Sequence, residues 1–549
     1  MPVHFEDSVP ILKITAYLLR DGTAGVVDAL SPSSRPGGRD GMFELAPAVN
    51  TDLPDGTVAF VAMNRSQHPE WAQALEADFP QLADVHNTSS RMVLFLPVGD
   101  RHFAICFGYG GASLRKAAID PSFGLRYAAR TFNQNVIFGL DSRRMSATAR
   151  SQAVQTVGGE RLADLDVPLA GEFVRRLAGR LDDGASLEIA GISTVVASDA
   201  VSFKTGFVLR DIQAVLTKML EVVNTTAAKD EFEFVDALEA LRATDDRVKQ
   251  LEVQLCGELN AMISDPTRQP SLLLNLVPPE SPNVDILDTV HVQVGVDSFT
   301  LTELSLSSFV SQMRAHGKQV SRSSLAGIKL SIVDEHGSSG DSSSLRTWLV
   351  YEAIEGSQRA ILTLGRWFGL NEAFSARLDS DLADIEVSTS DIDLPNWVSG
   401  ISREGDYNDF VPTARANIFK LDRVKFYSLG NEIEACDLIT DSGHLIHVKR
   451  WDSSATLSHL FSQGLVSLEV LNSDPDYTLQ VRDHLTASAA AFVGAFDARP
   501  RKVVFAIAMK GTRLLPDSLP TFSKVNLRDF AQRVRSRGAD VSISRIQME

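Results

Sequence analysis

An almost uninterrupted apolar run, KVVFAIAM at 502–509, constrains the fold of this chain more than any other feature. A strand that is apolar on both faces has no solvated side, and such strands occur mainly in parallel sheets covered by helices on both faces. Parallel neighbours need a crossover connection, which is usually a helix. The run therefore predicts an α/β arrangement with a buried parallel strand in this part of the chain.

The segments before this run have the patterns of a helix, two strands and a second helix. EGDYNDFVPTARANIF (404–419) has helical character with Pro412 inside it, and IEACDLI and HLIHVKR read as two short strands around the turn T-D-S-G. SATLSHLFSQGLVSLEVLN (454–472) repeats large apolar residues at intervals of three and four. A right-handed crossover through this helix would place KVVFAIAM parallel to HLIHVKR.

The rest of the chain mixes strand and helix patterns. Strands are predicted at 11–19, 57–63, 91–98, 102–110, 327–335 and 347–354, and helices at 68–79 and within 207–263. A length of 549 residues exceeds one hydrophobic core, and proline-rich or polar breaks fall at 265–285 and 393–400. We predict a multi-domain α/β protein, with an N-terminal α/β and helical domain at 1–265, a mixed middle domain at 266–398 and a third domain at 399–549.

Charge and cysteine content exclude some classes of protein. A net charge of −17 argues against a protein that coats nucleic acid through bulk electrostatics. The three cysteines are far apart and odd in number, which fits a reducing compartment. No stretch is long and apolar enough for a transmembrane helix, and acids rather than bases precede the first apolar run. We expect a soluble, cytoplasmic protein without membrane contact, and leave open whether it is a homo-oligomer.

Charged residues lie within the two short strands, where side chains must be paired or solvated. If each strand is regular, alternation puts Asp437 on one face with His447 and Lys449, and Glu434 on the other face. A carboxylate together with the backbone carbonyl of Val448 suits Mg²⁺ or Mn²⁺. A lysine beside such a metal can orient the attacking water and steady the charge on a phosphate.

This pattern resembles a known group of nucleases. Asp437 followed by H-V-K at 447–449 is similar to the PD-(D/E)xK, restriction-endonuclease-like enzymes, and the ending H-V-K-R-W resembles the Q-x-K-R endings of the Mrr-like branch. The resemblance covers residues 400–515 and implies a restriction-endonuclease-like α/β sandwich for the third domain, with a larger mixed α/β region before it.

The same resemblance implies roles for individual residues. Asp437 would be the metal-binding carboxylate, Lys449 the catalytic lysine, and His447 would stand at the metal in the position of the second acid. Gln463 on the following helix would reach the catalytic site, and Glu404 on the preceding helix would add a metal-binding carboxylate. A histidine in place of the acid departs from the family pattern, because it supplies no negative charge.

Over nearly its full length the chain also resembles a sporadically distributed bacterial family of unknown function. The residues that carry this resemblance are LKITAYLL (12–19), FGYG (107–110), FGLR (123–126), EGDYN (404–408), and CDLIT through HVKR (436–450) with SSATLSHLFSQG (453–464). This second resemblance implies an accessory protein tied to mobile elements or phage defence, and it implies no particular reaction.

Basic residues are concentrated towards the end of this acidic chain. We expect a docking face for a phosphate backbone at the ends of the predicted sheet, formed by Arg450, Arg499, Arg501, Lys502, Lys510 and Arg513. The alternatives are a solvated helix face, or pairing of these cations with carboxylates of the N-terminal domain.

Taken together, these patterns favour a metal-dependent nuclease that hydrolyses phosphodiester bonds of nucleic acid, DNA in preference to RNA. One alternative is a non-catalytic nucleic-acid or protein-binding sensor on the same fold, and a purely structural surface hairpin would have a salt bridge between Asp437 and Lys449. A second alternative is a zinc site formed by Cys436, His444, His447 and His459. Strand alternation disfavours the zinc site, because it places Cys436 and His444 on the face opposite Asp437 and His447.

Overall fold

The computed structural model describes residues 11–23, 25–47, 54–64, 76–84, 89–144, 151–162, 165, 172–182, 192–206, 209–229, 232–268, 274–279, 289–301, 303–333, 342–355, 358–387, 392–451, 454–499, 501–512 and 514–549. The chain divides into two compact units: Met1–Arg143, Gln152–Val167 and Val174–Asp245 form the first, and Arg144–Ser151, Pro168–Phe173 and Asp246–Glu549 the second. Both units combine helices and sheets, which confirms a multi-domain α/β protein. The three-domain division stays a prediction. No helix within the described ranges has the length and hydrophobicity needed to span a membrane.

A ten-stranded sheet forms the first unit. Its strands are β1 (Ile11–Leu18), β2 (Phe43–Leu45), β3 (Val58–Asn64), β4 (Ser89–Val98), β5 (Arg101–Gly108), β6 (Phe132–Arg144), β7 (Ser151–Glu160), β8 (Glu172–Leu181), β9 (Thr194–Ala197) and β10 (Val201–Gly206). They lie in the order β2–β3–β4–β5–β1–β10–β9–β8–β6–β7. The predicted hairpin is confirmed, since β4 and β5 pair antiparallel with Val98 opposite Arg101. Gly99 in its turn has a φ of 61°, which favours glycine.

Helices and short segments complete the first unit. They are α1 (Phe123–Thr131), α2 (Leu209–Thr225), α3 (Glu233–Asp236) and the short strand β11 (Leu238–Ala240). Short 3₁₀ helices cover Val26–Ala29, Pro80–Asp84, Gly110–Ser113 and Lys116–Ala118. The helix predicted at 68–79 lies largely outside the described residues.

Two antiparallel sheets open the second unit. One contains β12 (Leu274–Leu276), β17 (Leu349–Glu355), β18 (Gln358–Thr363) and β19 (Arg366–Leu370), and the other contains β13 (Thr289–Val294), β14 (Asp297–Leu301), β15 (Lys329–Val333) and β16 (Ser343–Ser344). The helices of this part are α4 (Asp246–Ser264), α5 (Leu306–Ala315), α6 (Arg322–Gly327), α7 (Leu345–Trp348) and α8 (Glu372–Ala383).

A six-stranded sheet ends the second unit, and its strands, helices and connecting segments contain every residue predicted for the catalytic site. The elements are β20 (Glu386–Val387), α9 (Glu404–Ala414), β21 (Ile418–Lys420), β22 (Phe426–Ser428), β23 (Asn431–Ile433), β24 (Leu438–Thr440), β25 (His444–Arg450), α10 (Ser454–Ser473), α11 (Pro475–Ser488), α12 (Val493–Asp497), β26 (Arg501–Met509), α13 (Thr521–Ser536) and β27 (Ala539–Gln547), with a 3₁₀ helix at Ala490–Phe492. The strand order is β20–β27–β26–β25–β24–β21, and β22 and β23 form a separate hairpin.

The central strands pair as the apolar run predicts. β25 and β26 are parallel over their whole length, from His444 opposite Lys502 to Arg450 opposite Ala508, with α10 as the connection between them. β27 continues the parallel order beyond β26. The short strand β20 then pairs in parallel with β27, so that an element of the predicted middle domain forms one edge of this sheet.

Helices cover both faces of this sheet. On one face Tyr407 and Val411 of α9 share a buried cluster with Ile446, Val448 and Val504. On the other face the ring of Phe461 in α10 packs edge-on against Phe505 of β26, at 5.0 Å between ring centres. Apolar side chains on both faces explain why β26 has no polar alternation.

Two predicted elements differ from the structure. IEACDLI is not one strand, because β23 ends at Ile433 to pair with β22, whereas β24 begins at Leu438 to pair with β21 and β25. The residues between them, 434–437, have no regular structure. The helix predicted at 404–419 ends at Ala414, with Pro412 in its last turn, and Ile418–Lys420 forms β21 instead.

Candidate functional site

Three carboxylates meet where the irregular segment 434–437 passes the end of β25. Asp422, Glu434 and Asp437 each present an oxygen within 4.8 Å of the others, and no other group of three potential metal ligands occurs within the described ranges. We call these three residues the acid cluster. Asp422 comes from the turn between β21 and β22, and the other two residues bound the irregular segment. Hard carboxylate oxygens at this spacing suit a divalent cation.

Backbone hydrogen bonds hold the acid cluster together. Asp437 Oδ2 accepts a 2.6 Å hydrogen bond from the N–H of Val448 in β25. The backbone N–H of Asp437 donates to the carbonyl of Ile446 at 3.0 Å, and its carbonyl accepts from Leu421 at 2.8 Å and Asp422 at 2.9 Å. Asp437 therefore ties the turn that carries Asp422 to the strand that carries the predicted lysine.

Burial makes the charge of this cluster unfavourable. Desolvation, with smaller contributions from Asp422, Glu434 and Glu404, raises the pKa of Asp437 to about 7, although the Val448 N–H acts in the opposite direction. The pKa of Glu434 is also raised, first by burial and then by the charge of Asp422. A cation among these oxygens would relieve the repulsion, so the cluster favours either a proton or a bound cation at neutral pH.

A second pair of charges lies beside the acid cluster. Lys449 Nζ donates to Glu404 Oε2 at 2.7 Å, and Glu404 Oε1 accepts from the backbone N–H of Arg450 at 3.1 Å. The charge of Glu404 acts on Asp437, and that of Lys449 acts on Glu434. The structure thus brings together the predicted Asp437, Lys449 and Glu404. Lys449 pairs with Glu404, which is not the salt bridge to Asp437 that a purely structural surface hairpin predicts.

An arginine adds a further cation next to the cluster. Arg423 has a φ of 64°, and its Nε lies 3.6 Å from Asp422 Oδ2. Its guanidinium also lies against the start of α9, where a Cβ added to Gly405 would be 1.6 Å from Arg423 Nη2. Glycine at this position therefore leaves the space that the guanidinium occupies.

His447 is placed away from the acid cluster. It is only 3% exposed, its Nε2 lies 3.3 Å from Ser467 Oγ on α10, and burial lowers its pKa to about 4. The ring is therefore neutral at physiological pH. Cys436 is also buried, and burial raises its thiol pKa well above the usual value. Among the described residues the one group of three possible metal ligands is the acid cluster, and it contains no histidine or cysteine. The residues of the alternative zinc site therefore do not come together.

The helix α10 contributes less to the cluster than its position in the sequence suggests. Gln463 is half-buried, and within the described ranges no hydrogen bond joins it to the acids. His459, one turn earlier, is exposed. Partial desolvation and the charge of Lys449 lower its pKa, while Glu404 acts in the opposite direction.

The predicted basic residues do not form one face. Arg499 donates to the carbonyls of Phe496, Asp497 and Ala498, Arg501 is buried, and Lys502 pairs with Glu386 at 2.6 Å. These three lie at the amino end of β26, whereas the exposed Lys510 follows its carboxyl end, near Arg450 in β25. Arg513 lies outside the described residues. A nine-residue strand separates the two groups by about 26 Å.

Sequence reasoning missed Asp422, Arg423 and Glu434. The assumption of a regular strand through 433–439 placed Glu434 on the face opposite Asp437, and the break after Ile433 removes that alternation. Leu429 and Gly430, with φ values of 48° and 81°, form the hairpin turn that returns the chain from Asp422 to Glu434. Gly430 at the second position of this turn is the one local signal of the hairpin.

Comparison with known proteins gives a family without a reaction. Residues 14–547 match the family described as "Family of unknown function (DUF6119)". No curated protein and no solved structure matches the chain. The full-length resemblance to a family of unknown function is confirmed, and the resemblance to nucleases stays a prediction.

Proposed function

The chain belongs to this family of unknown function, and we propose that its last sheet carries a metal-dependent nuclease that hydrolyses phosphodiester bonds, of DNA in preference to RNA. The observation that carries the proposal is the acid cluster beside the Lys449–Glu404 pair at the carboxyl end of β25. Carboxylates with raised pKa values, together with a nearby lysine, are typical of functional sites. A place in phage defence or on mobile elements stays a prediction.

The order of elements supports the proposal. Apart from the separate hairpin β22–β23 and the added helices α11 and α12, the chain runs through α9, β21, β24, β25, α10 and β26 as helix, three strands, helix and strand, with helices on both faces of the sheet. A restriction-endonuclease-like sandwich is the arrangement that the resemblance implies. Asp437 immediately precedes β24 and Lys449 lies near the end of β25, where the resemblance expects the metal carboxylate and the lysine.

In this proposal each residue of the site has a separate role in hydrolysis. The acid cluster would hold Mg²⁺ or Mn²⁺, and the bound ion would lower the pKa of a water molecule and stabilise charge on the phosphate. Lys449 orients the attacking water and stabilises the negative charge that develops on the phosphate oxygens. Glu404 holds the ammonium group of Lys449 in place, and Arg423 offers a second cation to the substrate.

A non-catalytic sensor is the second candidate, and two observations favour it. Lys449 is already neutralised by Glu404 at 2.7 Å. The residue two positions before Lys449 is a buried, neutral histidine where the resemblance expects an acid. A sensor of this kind would bind nucleic acid or protein without cutting it.

Cleavage and metal binding separate the two candidates. The full chain is incubated with DNA and RNA in Mg²⁺ or Mn²⁺, alongside the Asp437→Asn and Lys449→Met variants, and metal binding is measured by calorimetry. Asp246→Asn and Lys249→Met are matched controls, because these two residues form an exposed ion pair with each other at the start of α4, in the same unit.

We expect the wild type and both controls to cut, Asp437→Asn to lose metal binding and cleavage, and Lys449→Met to lose cleavage while still binding metal. Metal binding without cleavage by the wild type would favour the sensor. Cleavage by Asp437→Asn at the wild-type rate would contradict the proposed site.

A further inference from the structure

A polar pocket lies at the opposite end of the sheet from the acid cluster. It has a volume of about 380 Å³ and is lined by Arg499, Arg501, Arg537, Asn472 and the apolar Leu468 and Leu471. We call it the arginine pocket. It lies at the amino ends of β26 and β27, so that β26 separates it from the end of the sheet where Lys449 stands.

Arg501 is a buried cation whose hydrogen bonds are incomplete. It is 3% exposed, and its Nη1 donates to the Leu471 carbonyl at 3.4 Å and to Asn472 Oδ1 at 3.2 Å. The guanidinium lies over the ring of Phe496, at 5.0 Å from the ring centre. Its Nε and Nη2 are buried without a hydrogen-bond partner among the described residues. Buried charges are normally paired, so the incomplete pairing of the Arg501 guanidinium favours a bound anion.

The neighbouring residues do not supply enough negative charge. Arg499 donates only to backbone carbonyls, at 3.0 to 3.4 Å. Arg537 pairs with Glu469, and Asp497, whose charge acts on Arg501, is itself paired with Arg482 at 3.0 Å. The pocket therefore gathers three guanidinium groups around one directly paired carboxylate, on a chain whose net charge is −17.

We infer that the arginine pocket binds the phosphate group of a small phosphorylated ligand. Guanidinium groups present several N–H donors in one plane, which matches the oxygens of a phosphate and makes such contacts strong. The volume lies within the range of small-molecule pockets. A nucleic-acid backbone fits less well, because Arg501 is almost completely enclosed. The inference does not depend on the proposed nuclease activity.

Thermal unfolding and calorimetry with inorganic phosphate and pyrophosphate test the inference on the full chain. Potassium chloride at the same ionic strength is the control for a general salt effect. We expect both anions, and not chloride, to raise the melting temperature by about 2 °C or more when they are in excess over their dissociation constants. Asp437→Asn should show the same shift, which separates this result from any result at the acid cluster.

Three variants distinguish binding from a structural role. Arg499→Met and Arg537→Met should weaken pyrophosphate binding at least tenfold, while Arg415→Met, which removes a half-exposed arginine paired with Asp393, should leave it unchanged. Arg501→Met removes an unpaired buried charge, so we expect it to raise the melting temperature of the ligand-free protein and to abolish the phosphate shift.

Three results would overturn the inference. The first is an equal shift with chloride and phosphate, and the second is an unchanged shift in Arg499→Met and Arg537→Met. The third concerns the source of the phosphate, and it comes from comparing the binding of one oligonucleotide with and without a 5′-phosphate. We expect no difference between the two, and a preference for the phosphorylated strand that disappears in Arg537→Met would assign the pocket to nucleic-acid ends.

Discussion

The carboxylate of Asp437 accepts its hydrogen bond from the backbone N–H of Val448, eleven residues away, at 2.6 Å. Val448 directly precedes Lys449, so this bond fixes the separation between Asp437 and the predicted catalytic lysine. It also leaves the acid anchored through one oxygen, Oδ2. The second oxygen of the same carboxylate is then the natural ligand for a cation in the acid cluster.

The Asp437→Asn variant is expected to be more stable than the wild type at alkaline pH when metal is absent. Because the pKa of Asp437 is raised to about 7 from its ordinary value of 3.8, the folded state loses stability as pH rises between these values. Asparagine has no charge to bury and keeps an oxygen for the Val448 N–H. Urea unfolding at pH 8 should show a gain of up to about 4 kcal/mol, the free energy that corresponds to a pKa difference of about 3, and at pH 4 almost none.

Added Mg²⁺ should reverse that order, since it stabilises only the protein that binds it. In the wild type, metal affinity should rise with pH up to about 7 and then level off, because the ion displaces the proton of Asp437. The exposed Asp246→Asn variant should show neither effect. A loss of stability in Asp437→Asn at pH 8 without metal would mean that its carboxylate is neutralised by a partner within the protein.

His447→Gln should leave metal affinity and cleavage unchanged, because the ring faces Ser467 rather than the acid cluster. With a pKa of about 4 in the folded protein, against 6.5 ordinarily, His447 makes stability rise as pH increases across this interval, and the variant should lose that dependence. Unfolding measured from pH 4 to 7 checks the prediction. A tenfold loss of metal affinity at an unchanged melting temperature would place His447 at the metal.

Gly405→Ala should alter the site without unfolding it. The added methyl would stand 1.6 Å from Arg423 Nη2, at the far end of a flexible side chain that can move aside. With this cation displaced, we expect tighter metal binding and weaker nucleic-acid binding. Gly257→Ala is the control, since it lies in α4 with open space around it. If both variants bind metal and nucleic acid like the wild type, Arg423 contributes to neither.

Glu352→Gln should strongly destabilise the second unit. Glu352 in β17 is 0% exposed, accepts hydrogen bonds from the N–H and hydroxyl of Thr521 at the start of α13, and pairs with Arg359 at 2.7 Å. Removing one charge of a buried pair costs about 3–5 kcal/mol in the free energy of unfolding. Glu355 lies on the same strand as Glu352 and forms a more exposed pair with Arg247. Glu355→Gln breaks this pair and should cost about 1 kcal/mol or less. Similar losses of unfolding free energy for the two variants in urea would show that burial does not determine how much each ion pair contributes.

Local periodicity predicted the elements that position the site better than the site itself. β25 begins and ends where HLIHVKR does, and the apolar run of β26 predicted its parallel partner, because both features depend on neighbouring residues. Asp437, Lys449 and Glu404 also lie close together, as expected. Glu434 was placed on the wrong face, since a break in a strand depends on which strands pair with its two halves. The burial of Arg501 depends on α12 and α10, which local sequence does not show.

Pairing between β20 and β27 affects how the chain can be divided. β27 is a nine-residue strand, largely buried, and its outer edge is covered by Glu386 and Val387 and by the N–H of Trp397, which donates to the Gln547 carbonyl at 2.8 Å. A fragment starting at residue 399, the predicted start of the third domain, would leave these backbone groups unpaired. Exposed edges of this kind recruit strands from other molecules. Expression of the last sheet alone should therefore give aggregates unless the fragment begins before Glu386.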